Sequence, residues 1–340
     1  RSDYSFSFKN VSLDNFISKK EDILFSGNIN GDLNLNKENE LYKGESNITI
    51  NELKANEADL GIAKLNIEAS KDLKSFNLTF KVIKDTFENL NLNGNFSLEE
   101  EFIPLKMKLV TKDFDISPFS KIGKNVISDF EGLFNSSVFI SGSSKFPIFT
   151  GLIKTDNVSF KIPYLNVRYQ LKNNPSFILE NQSFLINDFN LYNKKSLSEG
   201  IISGEIFHNK FKDWNLDLKI VSDNLMILDT DFSPDFLYYG KGMLNGKAII
   251  SGPGNDLSII VKGSTNEGTR LTIPIKKSQN TGDLNYLSFV DSKDKEPDMN
   301  LIKDNGLKVD LDIEFNSFAK LKVILDSESN SKIEGIGTGN

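Results

Sequence analysis

The sequence predicts an all-β protein built as an elongated, curled and mostly antiparallel sheet. Three observations carry this. First, apolar and polar residues alternate over many short runs. In Leu90-Asn-Leu92-Asn-Gly94-Asn-Phe96-Ser-Leu98 every even position is apolar or glycine, and every odd one is Asn or Ser. A strand separates two such sets onto opposite faces, whereas a helix mixes them. Second, short turn signals rather than long helices separate the runs, which disfavours βαβ units and favours antiparallel neighbours. Third, no clear linker divides the chain, so one continuous architecture of stacked hairpins is expected.

The elements follow in order. Tyr4–Phe8, Ile29–Leu35, Ile48–Ile50, Leu65–Ala69, Phe76–Val82 and Leu90–Leu98 form a first β segment over 1–113. Gly31 and Gly94 inside these runs suit tight bends in a curving sheet. A helical interruption is expected over 114–131. Ser117 precedes Pro118, and Phe119, Ile122, Val126, Ile127 and Phe130 fall at helical spacing, which predicts a short amphipathic helix over Pro118–Phe130. Strands resume over 132–275, among them Gly132–Gly142, Phe149–Asn157, Phe184–Leu191, Ile201–His208, Leu216–Ile220, Leu244–Ile250, Leu257–Val261 and Leu271–Ile275. A loop is expected over 276–306, where Lys293-Asp-Lys-Glu-Pro297-Asp is a solvated charge run. The chain closes over 307–340 with Leu307–Phe315 and Ala319–Leu325.

Composition excludes several classes. A net charge of -7 without clustered Lys and Arg argues against nucleic acid. The chain has no Cys, which removes thiolate zinc sites, thiol nucleophiles and disulfides. Its single His, His208, cannot build a His-based metal cluster and is expected as a partly exposed strand-end residue. No window reaches the roughly 18 apolar residues of a transmembrane helix. The chain starts Arg1-Ser-Asp-Tyr4 without Met, and a fragment or processed product is expected, with targeting segments outside it.

Catalytic constellations are not expected. No Ser sits in a G-x-S-x-G elbow. Asp310 and Asp312 share a strand face with Lys308 and Glu314, so a solvated face is the expected reading. Asp229-Thr-Asp231 and Asp291–Asp298 lack EF-hand spacing, and Gly252-Pro-Gly254 and Gly335–Gly339 read as turns. No cofactor and no metal ligand is expected.

What remains is a row of apolar positions repeated along the chain. The candidate binding residues are Phe76, Leu78, Phe80, Leu90, Leu92, Phe96, Leu98, Val138, Ile140, Val158, Phe160, Ile162 and Val167 in the first half. In the second half they are Leu216, Leu218, Ile220, Leu257, Ile259, Val261, Leu271, Ile273, Val309, Leu311, Ile313, Leu321, Val323 and Leu325. Periodicity alone favours a closed hydrophobic core at these positions over an open groove.

Several segments resemble a known family. Phe130-Glu-Gly132, Ile140-Ser-Gly142, Phe146-Pro147, Gly151 and Ile162-Pro163-Tyr-Leu165-Asn-Val167 are similar to the repeat of TamB and its AsmA-like relatives. Tyr238-Tyr-Gly240-Lys-Gly242, Ile250-Ser-Gly252-Pro and Ile273-Pro274 look like a second copy. Ala319-Lys-Leu-Lys-Val-Ile-Leu-Asp326 followed by Ile333-Glu-Gly335-Ile-Gly337-Thr-Gly339 resembles the family's C-terminal signature. The resemblance implies a U-shaped, taco-like hydrophobic groove in the periplasm of a diderm bacterium, bridging inner and outer membranes. It implies phospholipid as cargo, an inner-membrane anchor outside this sequence, and an Omp85-type (TamA-like) outer-membrane barrel as partner. The expected function is lipid transfer without enzymatic activity. The alternatives are an outer-membrane protein assembly module acting by β-augmentation, and a closed-core surface adhesin.

Overall fold

Twenty strands among the described residues join into one sheet. The computed structural model describes residues 2–17, 23–38, 41–97, 105–120, 127–143, 145–232, 238–274, 308–326 and 331–336. The first nine strands form an antiparallel meander. They are β1 (Ser2–Ser12), β2 (Phe25–Glu38), β3 (Leu41–Ala55), β4 (Ala58–Ala69), β5 (Ser75–Lys84), β6 (Phe87–Ser97), β7 (Lys106–Asp115), β8 (Ser128–Gly142) and β9 (Pro147–Ile162). Each pairs with the next.

Beside β9 lies a broken strand made of β10 (Val167–Leu171) and β11 (Ser176–Asn181). Both also pair with β12 (Ser183–Asn193). The meander continues through β13 (Ser198–Asn209), β14 (Lys212–Thr230) and β15 (Tyr239–Pro253). A second broken strand, β16 (Ser258–Thr265) and β17 (Arg270–Pro274), pairs antiparallel with β15.

Here the antiparallel expectation meets its exception. β18 (Lys308–Glu314) pairs parallel with β16, and β19 (Lys320–Asp326) pairs parallel with β17. Parallel neighbours cannot be joined by a tight hairpin. The break in one strand pair is matched to the break in the other: Asn316 N–H donates to Thr265 Oγ1 at 3.1 Å, and Lys320 N–H donates to the Thr269 carbonyl at 3.1 Å. β20 (Ser331–Ile336) closes the order, antiparallel to β19.

The turns explain part of this regularity. Asn56-Glu57 and Asp85-Thr86 join hairpins with both residues at positive φ, the geometry whose twist matches that of paired strands. Asn and Asp tolerate that region better than most side chains. The bulges use the same chemistry. Asn10, Asp113, Asn157 and Asp188 each sit at positive φ where the ladder shifts register or beside such a shift. The freed amide at a bulge is often caught by an Asn across the ladder. Asn10 N–H donates to Asn30 Oδ1 at 2.9 Å, and Asp113 N–H to Asn135 Oδ1 at 3.0 Å. Bulges bend and twist the strands that carry them, so their recurrence curls the sheet.

Burial shows the result of that curl. A single flat layer leaves its apolar face half open to water. Here Leu191, Leu225, Leu244 and Val167 are at most 1% exposed, with no second layer among the described residues to cover them. The main core runs from Ile116 through β9–β16, and Ile313 packs against it. A smaller core lies under β1–β5, where Leu13 of a short 3-10 turn caps Ile29, Leu53, Ala55, Leu60, Ala63 and Val82.

The expected helix over Pro118–Phe130 needs correction. The described part is a single 3-10 turn, Ser117–Phe119, and Ser128–Phe130 already belong to β8. Residues 121–126 lie outside the described residues. The turn's first cap, Ile116, offers no side-chain acceptor for the free amides. Phe119 instead packs on Phe114 at 5.8 Å, and Phe130 joins the core from a strand. The loop expected over 276–306 falls outside the described residues.

Candidate functional site: the concave apolar face

Cross-strand partners in a ladder point to the same side, so the register traces one face through the sheet. Phe76 opposes Phe96, Phe80 opposes Leu92, and Val82 opposes Leu90. The row passes from Leu92 to Leu109, from Leu109 to Val138, and from Met107 to Ile140. It continues through Val138 to Gly151, and through Phe160–Tyr169 and Ile162–Val167. Further on, Leu218 opposes Ile250, Ile220 opposes Ala248, and Leu216 opposes Gly252. Ile250 leads to Ile259 and Ala248 to Val261. Those two lead on to Val309 and Leu311, with Gly263 beside Ile313. Leu271 and Ile273 lie beside Leu321 and Val323.

The positions traced here thus share the concave face, and Leu78 and Val158 follow by alternation along their strands; Leu257 directly precedes β16, and Leu325 sits in the register shift between β19 and β20. Leu98 lies outside the described residues. No Asp, Glu, Lys or Arg falls in these rows. The opposite face carries Asn77, Asn91, Asn93, Asn95, Asp310 and Asp312, and Lys262 pairs with Asp312 there at 3.7 Å.

The face is not uniform. Val138, Val158, Val167, Leu216, Leu218, Ile220, Leu257 and Val261 are buried. Phe76, Leu78, Phe80, Leu90, Leu92, Phe96, Ile140, Phe160, Ile162, Ile259, Leu271, Val309, Ile313, Leu321 and Val323 are half-buried. Ile273, Leu311 and Leu325 are 37–43% exposed. The concave face is filled by its own side chains across β9–β15 and more open on either side.

Hydroxyls on this face mostly turn back onto the backbone. Thr111 Oγ1 donates to the Phe134 carbonyl at 3.1 Å, and Ser222 Oγ donates to the Leu244 carbonyl at 2.8 Å. Ser46 Oγ is buried without a partner among the described residues.

Sequence reasoning missed part of the face. Tyr169, Phe177, Phe184, Phe189, Leu191, Leu225 and Leu244 line the same side. Bulges at Ile186/Phe189 and Ser222/Leu225 shift the parity there, so simple alternation could not find Phe189, Leu191 and Leu225, whereas Tyr169 and Leu244 follow by unbroken alternation from Val167 and Ala248.

His208 also departs from expectation, because it is fully buried rather than partly exposed. It stacks on Phe211 at 4.3 Å and lies within 5.9 Å of Phe149, Phe184 and Trp214, ring centre to ring centre. Its Nδ1 accepts the Phe211 N–H at 3.1 Å, which leaves the proton of the neutral ring on Nε2. Nε2 has no partner among the described residues. Burial depresses the imidazole to about 4. Such a ring stays neutral and packs as an aromatic.

No group of three metal-binding side chains occurs among the described residues. No described helix is long and apolar enough to cross a membrane. What this face can do chemically is bury apolar matter without direction or charge.

Residues 190–340 match the family model described as the TamB C-terminal domain. No curated protein and no solved structure matches the chain. The TamB family is a non-enzymatic cell-envelope family with transport and assembly roles and membrane partners. The matched stretch holds β13–β20 and the last four residues of β12, so from there to its end this all-β curled sheet is similar to the TamB C-terminal domain.

Proposed function

We propose that the chain is a segment of a periplasmic bridge that carries phospholipid acyl chains along its concave face between the inner and outer membranes. The carrying observation is the register itself. One apolar face passes from strand to strand, its rows from Phe76–Phe96 to Leu271–Leu321 hold no Asp, Glu, Lys or Arg, and its flanks are half open. An acyl chain laid against such a face gains about 0.8 kcal/mol per methylene. A fixed charge in the rows would add a desolvation barrier of several kcal/mol. The polar headgroup stays in water along the open side. The partners in this reading are phospholipid and an Omp85-type barrel, with an inner-membrane anchor elsewhere in the protein.

The test is extraction and mass spectrometry of material copurified with the chain, followed by transfer of labelled phospholipid between vesicles. Copurified phospholipid and transfer above background are expected. A chain that neither retains nor moves phospholipid refutes the reading.

A second reading rests on the sheet edge. Among the described residues β20 pairs on one side only, and all six of its residues are exposed. Such an edge can add a partner strand by β-augmentation. Recovery of an outer-membrane strand cross-linked to β20, with no bound lipid, would favour an assembly role over transport.

A further inference from the structure

The concave face is closed by its own side chains at its waist, and the closure has a visible catch. β10 and β14 are not neighbours in the sheet, because β12 and β13 lie between them. The β12–β13 hairpin is short at one end, turning between Asn193 and Ser198. β14 runs past that turn to Thr230, and β10 begins beyond it. The two overhangs meet over the end of the hairpin.

Three hydrogen bonds hold them. Asp229 N–H donates to the Leu165 carbonyl at 3.0 Å, and Asn166 Nδ2 donates to the Asp229 carbonyl at 2.6 Å. The buried Tyr169 hydroxyl donates to the Met226 carbonyl at 2.7 Å. Lys195, from the hairpin turn, pairs with the Asp229 carboxylate. Beneath this catch Tyr169, Leu191, Leu225 and Leu244 are at most 1% exposed. An interior filled to native density has no room for an acyl chain.

We infer that β10–β14 forms a gate in the concave face, held shut by the Leu165–Asp229, Asn166–Asp229 and Tyr169–Met226 contacts, with a lipid-holding stretch on each side of it. This rests on the lipid reading above and deepens it. Cargo occupies the flanks at rest, and passage between them requires the overhang of β14 to lift from β10. Lifting leaves the Met226 carbonyl without its donor, so the closed state is the resting one.

The experiment uses the full chain with a photoreactive benzoylphenylalanine in place of Phe96, Phe189 or Leu311, one position at a time. Phe96 and Leu311 report the flanks. Phe189 is 3% exposed within the waist, and the added benzoyl group enlarges its ring there, so the melting temperature of that variant is compared with that of the unaltered chain. Each variant is irradiated with vesicles of phosphatidylethanolamine and phosphatidylglycerol, and lipid adducts are counted by mass. Strong adducts at Phe96 and Leu311, with at least tenfold fewer at Phe189, are expected. Adding Tyr169→Phe and Asn166→Ala should raise the Phe189 adduct several-fold. Equal adducts at all three positions with the catch intact overturn the gate while leaving the lipid reading standing. Adducts at none overturn both. An unchanged Phe189 adduct after the catch is removed also overturns the gate.

Hydrogen exchange of the unaltered chain guards against a misfolded variant. Lipid should slow amides in β5–β6 and β18 and leave β10, β12 and β13 unchanged. Equal slowing in the waist counts against the gate.

Discussion

Leu218→Asp and Leu311→Asp place the same carboxylate on the same concave face in two different environments. Leu218 is 5% exposed, with Gly204 and Ile250 directly across its two ladders. Losing its burial costs about 2–3 kcal/mol, and a carboxylate without a partner there adds several more. The sum, on the order of 5 kcal/mol or above, rivals the whole stability of a typical domain. Leu311 is 43% exposed. Its replacement gives up roughly half of a leucine's burial, about 1 kcal/mol, and the carboxylate reaches water. Trp214, the only Trp, lies on the same strand as Leu218 and reports the waist by fluorescence. With a urea slope of about 3 kcal/mol per molar, Leu218→Asp should lower the midpoint by more than about 1 M, and Leu311→Asp by less than about 0.5 M. The alternation in the sequence, read with the family resemblance, made Leu218 an equal member of an open lining, a position where a charge does no harm to the fold. A Leu218→Asp chain that unfolds with the unaltered midpoint refutes the filled waist.

Three further outcomes follow from single positions. Gly94 has φ +149°, and a Cβ there would stand 2.5 Å from Met107 Cα and against the Lys106 carbonyl, so Gly94→Ala should cost on the order of 3 kcal/mol and speed amide exchange in β6 and β7. His208, depressed by burial to about 4, refuses in the folded chain a proton that the unfolded ring takes up near 6.5. Its contribution is complete above about pH 6.5 and is lost as pH falls toward 4, by roughly 3 kcal/mol at most; chemical melts across that window should slope accordingly and flatten in His208→Phe. Ser46 buries a hydroxyl on the concave face without a partner among the described residues, so Ser46→Ala should leave the melting temperature unchanged or raise it by a few degrees, and a clear drop would mean that the hydroxyl is bound.

Much of the fold was legible because alternation survives wherever a ladder is unbroken. Leu90–Leu98 reads as a strand, its described part lies in β6 (Phe87–Ser97), and its Asn residues face the outside. What alternation cannot carry is the bulge. At Asp188 and at Asp223-Asn224 the parity slips, so Phe189 and Leu225 join a face that their odd numbers seemed to deny them. The same slip misled the reading near Pro118. Asp129 sits at positive φ in a bulge, and the offset it introduces between Ile127 and Phe130 imitates helical spacing. The parallel pairing of β18 with β16 was hidden for another reason. Strand direction depends on how the chain returns, which no local pattern records. His208 was misplaced because position near a turn suggests exposure. Phe211 and Trp214 lie close by in sequence, but the other two aromatics that bury it, Phe149 of β9 and Phe184 of β12, are distant in sequence.

A single layer of sheet with one apolar face has to cover that face with something. The chain solves this in two ways at once. Across β9–β15 the bulges curl the layer until its own side chains meet, and Tyr169 spends its hydroxyl on the far strand's Met226 carbonyl. Toward β18–β20 the layer has fewer strands to meet, and Leu311, Leu325 and Ile333 stay 39–59% exposed. The polar outer side of β18 keeps its edge soluble through Lys308, Asp310, Asp312 and Glu314. It does nothing for the apolar side. Exposed apolar surface of this continuity is costly to leave in water. On the proposed function, lipid therefore lies along the flanks, where the fold leaves its concave face uncovered, and not over the well-packed waist.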